Sequence, residues 1–357
     1  VPDLDRRPLT LSIDAMGGDH GPSVTVAGTA IALDRLKGRE VRFQLHGDQA
    51  RIEAELVKQP RLKALATLHH TDKVIGGEEK AAHALRRGKG SSLWNTLEAL
   101  RSGGADGAVS AGNTGALMAI SKLILRMAGG LDRPAIVSSW PTRTGVTAML
   151  DVGANIESDA AQLVEFAIMG EAFYQAVHAA PGQTVRVGLM NVGSEEQKGH
   201  EDVRKANAIL SGGAFELHYH GFVEGDDIAK GTVEVIVTDG FTGNVALKTG
   251  EGLARFFAAE LREALTGDLL STAGAVLAQG AIKRLRARLE PPGGGPLLGL
   301  NGVVIKAHGG GTAERFADAV KIAADLAASD YAAKAAANMA RLAAAMAESA
   351  AQTETLQ

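Results

Sequence analysis

Five short stretches of this 357-residue chain offer a ligand little beyond backbone amides, hydroxyls and side-chain amides. They are SAGNTGA at 110–116, DVGAN at 151–155, NVGSE at 191–195, GFTGN at 240–244 and AHGGG at 307–311. Glycine lets the main chain approach a ligand closely, and successive N–H groups or a helix N-terminus can cradle an anion. One such loop is ordinary punctuation. Five of them, each at the end of a predicted strand, point to an anion such as phosphate, which needs a cation beside it. Lys198 in NVGSEEQKG opens a predicted helix, and Lys248 in GFTGNVALK lies a turn beyond another of the loops. Asp14 and His20, which bound the loop DAMGGDH, are candidates for proton transfer. Asp239 ends a predicted strand, where it would orient Lys198 or take a proton from phosphate, and Asn191 and Asn244 would donate hydrogen bonds.

Other chemistry is excluded or disfavoured. No GxGxxG follows the first predicted strand, and there is no Walker lysine pattern and no HExxH. His69, His70, His218 and His220 read as solvated or core histidines, so neither a metal nor a cofactor is expected. The chain has no cysteine, which removes disulfides, thiolate metal sites and a thioester-forming nucleophile. An acyl-serine at Ser110 or Ser194 lacks a histidine–acid pair at any telling spacing, so direct transfer is favoured. Aromatic residues at 4% and a net charge of −4 argue against nucleic acid. The opening VPDLDRRPLTLSIDAM has no apolar core of a signal peptide, and no apolar run reaches the roughly 18 residues of a membrane span. A cytoplasmic protein is expected.

These loops must be positioned by a recurring unit, a short apolar run followed by a Gly/Asn/Asp loop and a helical segment. The runs fall at 9–13, 41–45, 107–109, 135–138, 147–150, 185–190, 215–219, 233–237 and 303–305. Continuous apolar strands alternating with helices predict a mostly parallel sheet within an α/β fold. Ligands in such sheets bind beyond the carboxyl ends of the strands, so the loops should converge on one cleft. Two segments depart from the unit. Residues 252–290 read as two helices joined by the uncharged link LLSTAGAVLAQGAI, and 323–351 is helical on alanine propensity. PPGGGP at 291–296 reads as a sharp break.

The blocks DAMGGD at 14–19, SAGNTGA at 110–116, DVGAN at 151–155, NVGSEEQKG at 191–199, GFVEGDDI at 221–228, TDGFTGNVALK at 238–248 and PLLGLNGVVIKAHG at 296–309 resemble, in that order, the phosphate acyltransferase (PlsX) family. The resemblance implies a Rossmann-like α/β/α sandwich related to phosphotransacetylases and isocitrate-dehydrogenase-like enzymes, working as a homodimer. It implies one domain over 9–333, with 252–290 as a projecting helical pair and 334–357 as an alanine-rich helix and tail. The implied reaction moves a long-chain acyl group from acyl carrier protein to inorganic phosphate. The acyl phosphate would feed a membrane glycerol-3-phosphate acyltransferase at the start of phospholipid synthesis. No cofactor is implied.

Mapped onto these blocks, the expected catalytic residues are Lys198, Asp239, His20 and Asp14. Expected substrate contacts are Gly17, Gly18, Ser110, Gly112, Asn113 and Thr114 in the first two blocks. Asn155, Asn191, Ser194, Glu195, Gly243, Asn244 and His308 supply the rest. Local departures from the family pattern occur near Glu79, at Pro292 and in HGGGTAE. Residues 252–290 carry two expectations: dimer or core packing, or an interfacial element at the inner face of the membrane, its link flanked by Lys283, Arg284, Arg286 and Arg288. That basic cluster, or Arg86, Arg87 and Lys89, would alternatively steer an acidic carrier protein. The competing functions are a short-chain phosphotransacylase using acyl-CoA and a non-catalytic membrane-surface scaffold.

Overall fold

A computed structural model describes residues 8–340, apart from positions 130, 132, 214–216, 290–292, 332, 334, 336, 338 and 339, and for 286 and 287 the backbone alone. Its first half alternates strand and helix. The order is β1 (Leu9–Asp14), α1 (Pro22–Arg35), β2 (Val41–Gly47), α2 (Gln49–Leu56), α3 (Pro60–Lys63) and β3 (Ala66–His70), then α4 (Ala81–Arg87), α5 (Ser92–Arg101), β4 (Gly107–Ser110) and α6 (Thr114–Leu125). After β5 (Ala135–Ile136), β6 (Ser138–Pro141) and β7 (Val146–Leu150) come α7 (Ala160–Val177), β8 (Arg186–Met190), α8 (Glu201–Ser211), β9 (His218–Val223), α9 (Asp227–Lys230) and β10 (Val235–Val237). The chain continues through α10 (Gly240–Thr266), α11 (Leu269–Leu277), α12 (Gln279–Leu289), β11 (Gly294–Leu298), β12 (Val303–Ala307) and α13 (Ala313–Ala327).

The strands form two sheets. The first runs β3-β2-β1-β4-β12-β11-β5 and the second β6-β7-β10-β8-β9. Pairing is parallel from β3 through to β12 and from β7 through to β9; among the named strands it is antiparallel where β11 meets β12 and β5 and where β6 meets β7. The apolar runs explain this. β10 is buried along its whole length, as is β4, which suits strands covered on both faces. Helices α1 and α13 pack together on one side of the first sheet, and α5 and α6 cover the other. One core joins the sheets, running from Leu11, Ile13 and Val109 through Phe166 and Phe173 on α7 to Leu150, Val187 and Val235.

Several expected elements shift. The run 135–138 divides between the sheets: Ile136 pairs with Leu297 in the first, Ser138 with Met149 in the second. The chain crosses at Val137, whose N–H reaches Pro296 O at 3.1 Å. The strand expected at 215–219 begins at His218 and ends at Val223, residue 215 lying outside the described residues. PPGGGP does not simply break the chain, because Gly294 opens β11. A Cβ on Gly295 would stand 2.0 Å from Val137 O, so only glycine lets this strand lie against the crossing point. The link inside 252–290 is itself helical, as α11, giving three helices instead of two. The C-terminal helix starts earlier than expected, at Ala313, and α13 closes at Ala327; the alanine-rich helix and tail expected at 334–357 fall mostly outside the described residues, which end at 340.

Candidate active site

The loops that follow β1, β4 and β12 meet at the carboxyl edge of the first sheet. Asp19 N donates to Gly309 O at 3.0 Å. A Cβ on Gly17 would lie 2.8 Å from both Gly112 N and Asp14 Oδ2, and one on Gly18 would lie 2.8 Å from Gly309 O. Gly18 also has φ +85°, a conformation that glycine adopts without strain. The glycines of DAMGGD, SAGNTG and AHGGG are therefore what allow three backbones to share one spot.

Beneath them sits Asp14, which ends β1 and is 2% exposed. Its Oδ2 accepts from Ser110 Oγ at 2.7 Å, and Ser110 Oγ in turn accepts from Gly112 N at 3.0 Å. Oδ1 is enclosed and has no hydrogen-bond partner among the described residues. Burial pushes the Asp14 carboxyl above the usual carboxylate range, against the opposing pull of the Ser110 and Ser92 hydroxyls and of the backbone at Met16 and Gly17. The expected proton-transfer role for Asp14 does not match its place. Oδ2 is held by Ser110 behind the loops and Oδ1 is enclosed there. Ser110 is likewise buried, its hydroxyl engaged on both sides.

A cation absent from the sequence-based assignments completes this cluster. Lys306 stands on β12 opposite Ser110 in the parallel register, which puts the two side chains on one face of the sheet. Its Nζ donates to the carbonyl of Ala307. Burial lowers its pKa to about 8; Asp19 and Asp14 raise it in opposition, while Lys248 on α10 lowers it further. The signal was a lone lysine in the apolar strand VVIKA, a costly position that calls for a reason. His308, two residues on, is exposed at the surface. Partial enclosure of its ring is the main cause of its lowered pKa; Glu251 works against it, and Lys306, Lys248 and Arg315 reinforce it. Lys306 and His308 thus both feel the charge of Lys248, and Lys306 also those of Asp14 and Asp19. His20 is exposed on the same 14–20 loop, its carbonyl accepting from Ser23 Oγ at 3.0 Å.

At the start of α6, Asn113 is the N-cap: its Oδ1 accepts from Ala116 N at 2.8 Å. Its Nδ2 donates to Gly77 O at 2.6 Å and Glu79 O at 3.0 Å, tying the 76–79 loop to the helix. Thr114 and Gly115 follow, exposed, in the first turn, where backbone N–H groups lack helical partners.

The second-sheet loops are more self-contained than expected. Asp151 is wholly buried. Its oxygens accept from the backbone of Ile136, Gly153, Ala154 and Asn155 and from Asn155 Nδ2. Asn155 Nδ2 also donates to Pro134 O at 2.8 Å, so both amide hydrogens are engaged and neither is left for substrate. Gly243 packs against this loop, since a Cβ there would stand 1.9 Å from Asp151 O. Asn244 Nδ2 donates to Val152 O at 3.2 Å, and Asn191 Nδ2 to Lys198 O at 3.1 Å. These amides brace the loops that carry them.

Lys198 lies on the exposed loop after β8 with Ser194 and Glu195. Its Nζ pairs with Glu195 at 2.7 Å. Asp239 does not orient it. Its two oxygens accept from Thr242 N and Thr242 Oγ1, both at 2.8 Å, as the N-cap of α10.

α10 stays against the body into its third turn, where Ala246 and Leu247 pack on the second-sheet core and Gly250 abuts the Trp140 ring, and then leaves it; Gly240 and Gly243 are its buried residues, and α11 has none. The helices expose Leu253, Phe256, Phe257 and Leu261 near the base and Leu269, Leu270, Val276 and Leu277 at the tip. Packing of this arm into the chain's own core is therefore ruled out among the described residues. No helix among them is long and apolar enough to cross a membrane, and no group of three or more histidine or acidic residues could hold a metal ion.

Comparison with known proteins agrees with this architecture. The phosphotransacetylase of Streptococcus pyogenes superposes with a TM-score of 0.61 over 90% of this chain and 94% of that one, at 16% identity. The EutD phosphotransacetylase of Staphylococcus aureus gives 0.59 over the same shares. Both are like this chain in fold. In sequence, the chain is 62% identical to the phosphate acyltransferase of Caulobacter vibrioides over 336 residues, 94% of this chain and 92% of that protein. It is 58% identical to that of Phenylobacterium zucineum, covering 95% of each. The family model described as fatty acid synthesis protein matches residues 9–334, and the chain belongs to that family.

Proposed function

We propose that this protein is an acyltransferase that moves a long-chain acyl group from acyl carrier protein to inorganic phosphate, releasing acyl phosphate for phospholipid synthesis. The observation that carries this reading is the convergence of three glycine-rich, amide-lined loops around buried Asp14 and Lys306 in a chain so close to proteins named phosphate acyltransferase. A thioester needs little activation toward phosphate. One phosphate oxygen attacks the carbonyl carbon, an oxyanion forms, the C–S bond breaks with its electron pair on sulfur, and the proton of HPO₄²⁻ ends on the thiol. The protein's task is to hold the two reactants together and stabilise the oxyanion.

The amides of Gly17, Gly18 and Gly112, with the first turn of α6 at Thr114, suit the phosphate. Lys198 is exposed and its ammonium pairs with exposed Glu195, a weak surface pair that lets it swing to the developing oxyanion. His308 and His20, both exposed beside the loops, are suited to pass the proton from phosphate to sulfur. Asp14 and Ser110 fix the loop geometry from below.

The projecting arm supports two further parts of the reading. A second copy of the chain covers the apolar base around Phe256 and Phe257, making a homodimer. The apolar tip dips into the inner leaflet, where the lipophilic product passes to a membrane glycerol-3-phosphate acyltransferase. The test is to incubate the protein with palmitoyl-acyl carrier protein and phosphate and trap acyl phosphate with hydroxylamine. Palmitoyl hydroxamate is expected, reduced about 100-fold or more by Lys198→Ala. Product from short-chain acyl-CoA alone would favour the short-chain phosphotransacylase. Product unaffected by the lysine change would remove Lys198 from the mechanism.

A further inference from the structure

Four buried polar atoms on one face of the first sheet have no hydrogen-bond partner among the described residues: Ser12 Oγ, Asp14 Oδ1 and both ring nitrogens of His46. Unpaired polar groups are costly to bury, and each calls for a reason. The three residues are neighbours. Asp14 on β1 stands opposite His46 on β2 in the parallel register, which puts both side chains on one face of strands about 4.8 Å apart. Ser12 lies two residues back on β1, on the same face. His46 in turn stands opposite His69 on β3, and their rings stack with centroids 4.7 Å apart. One polar row thus runs from exposed His69 through His46, 3% exposed, to Asp14 and the Ser110 hydroxyl that it holds. Helix α5 covers the row, with Ser92 of its first turn beside Asp14. Next to α5 opens a surface cleft of about 510 Å³ whose walls include Gln44, Asn95, Glu98 and His46 itself. The mechanism above uses neither His46 nor Ser12.

The unpaired atoms are complementary. Burial, reinforced by the charge of His69, lowers the His46 pKa to about 3, so near neutral pH one ring nitrogen carries a hydrogen and the other does not. Asp14 Oδ1 needs a donor, and the Ser12 hydroxyl is free to give or take. A water accepting from the His46 ring N–H and the Ser12 hydroxyl and donating to Asp14 Oδ1 has the roughly three partners usual for an enclosed water.

We propose that His46 is a further positioning residue of the acyl-transfer site, linked to Asp14 Oδ1 and Ser12 Oγ through one enclosed water. The chain His46–water–Asp14–Ser110 then braces the 110–113 loop from beneath, since Ser110 Oγ accepts from Gly112 N. The catalytic consequence rests on the acyl-transfer reading, but the link itself is measurable without any substrate.

The link also carries a pH signature. Hydrogen bonding from His46 through water favours the Asp14 carboxylate, against the burial that raises its pKa. The ionisable groups around the pair are His69 and His70 on β3, Glu98 on α5 with its partner Arg101, and Lys306 on β12, which feels the charges of Asp14 and Asp19. β4 carries none. Removing the His46 N–H therefore lifts the Asp14 pKa further. Acyl transfer that needs a charged Asp14 then loses its rate at a higher pH on the acid side.

The experiment pairs two readouts on the full-length protein. In protein labelled with isotopic histidine, the His46 ring proton should resonate downfield and exchange slowly, and Asp14→Asn should move it upfield while leaving exposed His83 unmoved. In acyl-transfer assays between about pH 5 and 9, His46→Leu should lower the rate about tenfold at neutral pH and shift the acid limb up by about one unit. His46→Gln, which keeps an N–H donor, should recover most of both, and it serves in place of His46→Leu if that variant does not fold, with a smaller shift of the same sign. A His46 ring proton indifferent to Asp14→Asn, or an acid limb that does not move in either His46 variant, would overturn the link. No acyl transfer in the parent at any pH, with the ring proton still answering to Asp14→Asn, would overturn the acyl-transfer reading and leave the link standing.

Discussion

Asp14 illustrates how a single residue can be costly and kept. Its carboxyl is enclosed, one oxygen is unpaired, and burial holds its pKa above the ordinary value. A raised carboxyl pKa means that the folded state prefers the protonated form, so this group's contribution to stability is greatest at low pH and is lost as pH rises through the raised pKa. Asp14→Asn, neutral and of the same shape, should therefore raise Tm at pH 8, and the gap to the parent should close as pH falls toward 4. The same change should lower acyl transfer by about 100-fold or more, because the loops over Ser110 lose their charged anchor. A lower Tm at pH 8 would show that Asp14 stabilises the fold. At this scale the sequence was partly legible. The motifs drew attention to Asp14, Ser110, Gly17 and His308, and the structure gathers the loops that carry them at one sheet edge. Lys306 was hidden in a strand that otherwise reads as core, and the asparagines at 155, 191 and 244 looked like ligand donors because their bonds to Pro134, Lys198 and Val152 link chain segments that sequence spacing does not bring together.

Among the elements, α10 does two jobs in one helix of 27 residues, about 40 Å long. Its first turn is locked to the 151–155 loop by the absence of a side chain at Gly243. Gly243→Ala would set a Cβ 1.9 Å from Asp151 O, and should cost about 3 kcal/mol and lower Tm by about 5 °C; an unchanged Tm would mean the loop yields freely. The far end carries Leu269, Leu270, Val276 and Leu277, at 91%, 87%, 67% and 90% exposure. Burying each in a leaflet is worth on the order of 2 kcal/mol. Replacing all four with serine should cut flotation with anionic vesicles at least about a hundredfold while leaving acyl transfer in solution intact. Flotation that survives would remove the tip from membrane contact. Most strands were legible because their apolar runs are continuous, from Val41 in β2 to Val235 in β10. β3 was not, because ATLHH at the sheet edge is mostly exposed, and β11 was not, because its leading glycines signal a break although they serve close packing against Val137.

For the molecule as a whole, the parallel α/β class followed from the alternation of strands and helices, but the division into two sheets did not. It depends on a one-residue crossing at Val137 inside what reads as a single strand. That crossing leaves β12 in the first sheet and β10, which leads into α10, in the second, while the charge of Lys248 still reaches Lys306, some sixty positions on. The most direct measurement of the proposed activity is the yield of palmitoyl hydroxamate from palmitoyl-acyl carrier protein with and without inorganic phosphate. Hydroxamate that appears only with phosphate and rises to saturation with its concentration is the expected result. Thioester consumed at the same rate without phosphate, or no product at any phosphate concentration, would contradict acyl transfer to phosphate.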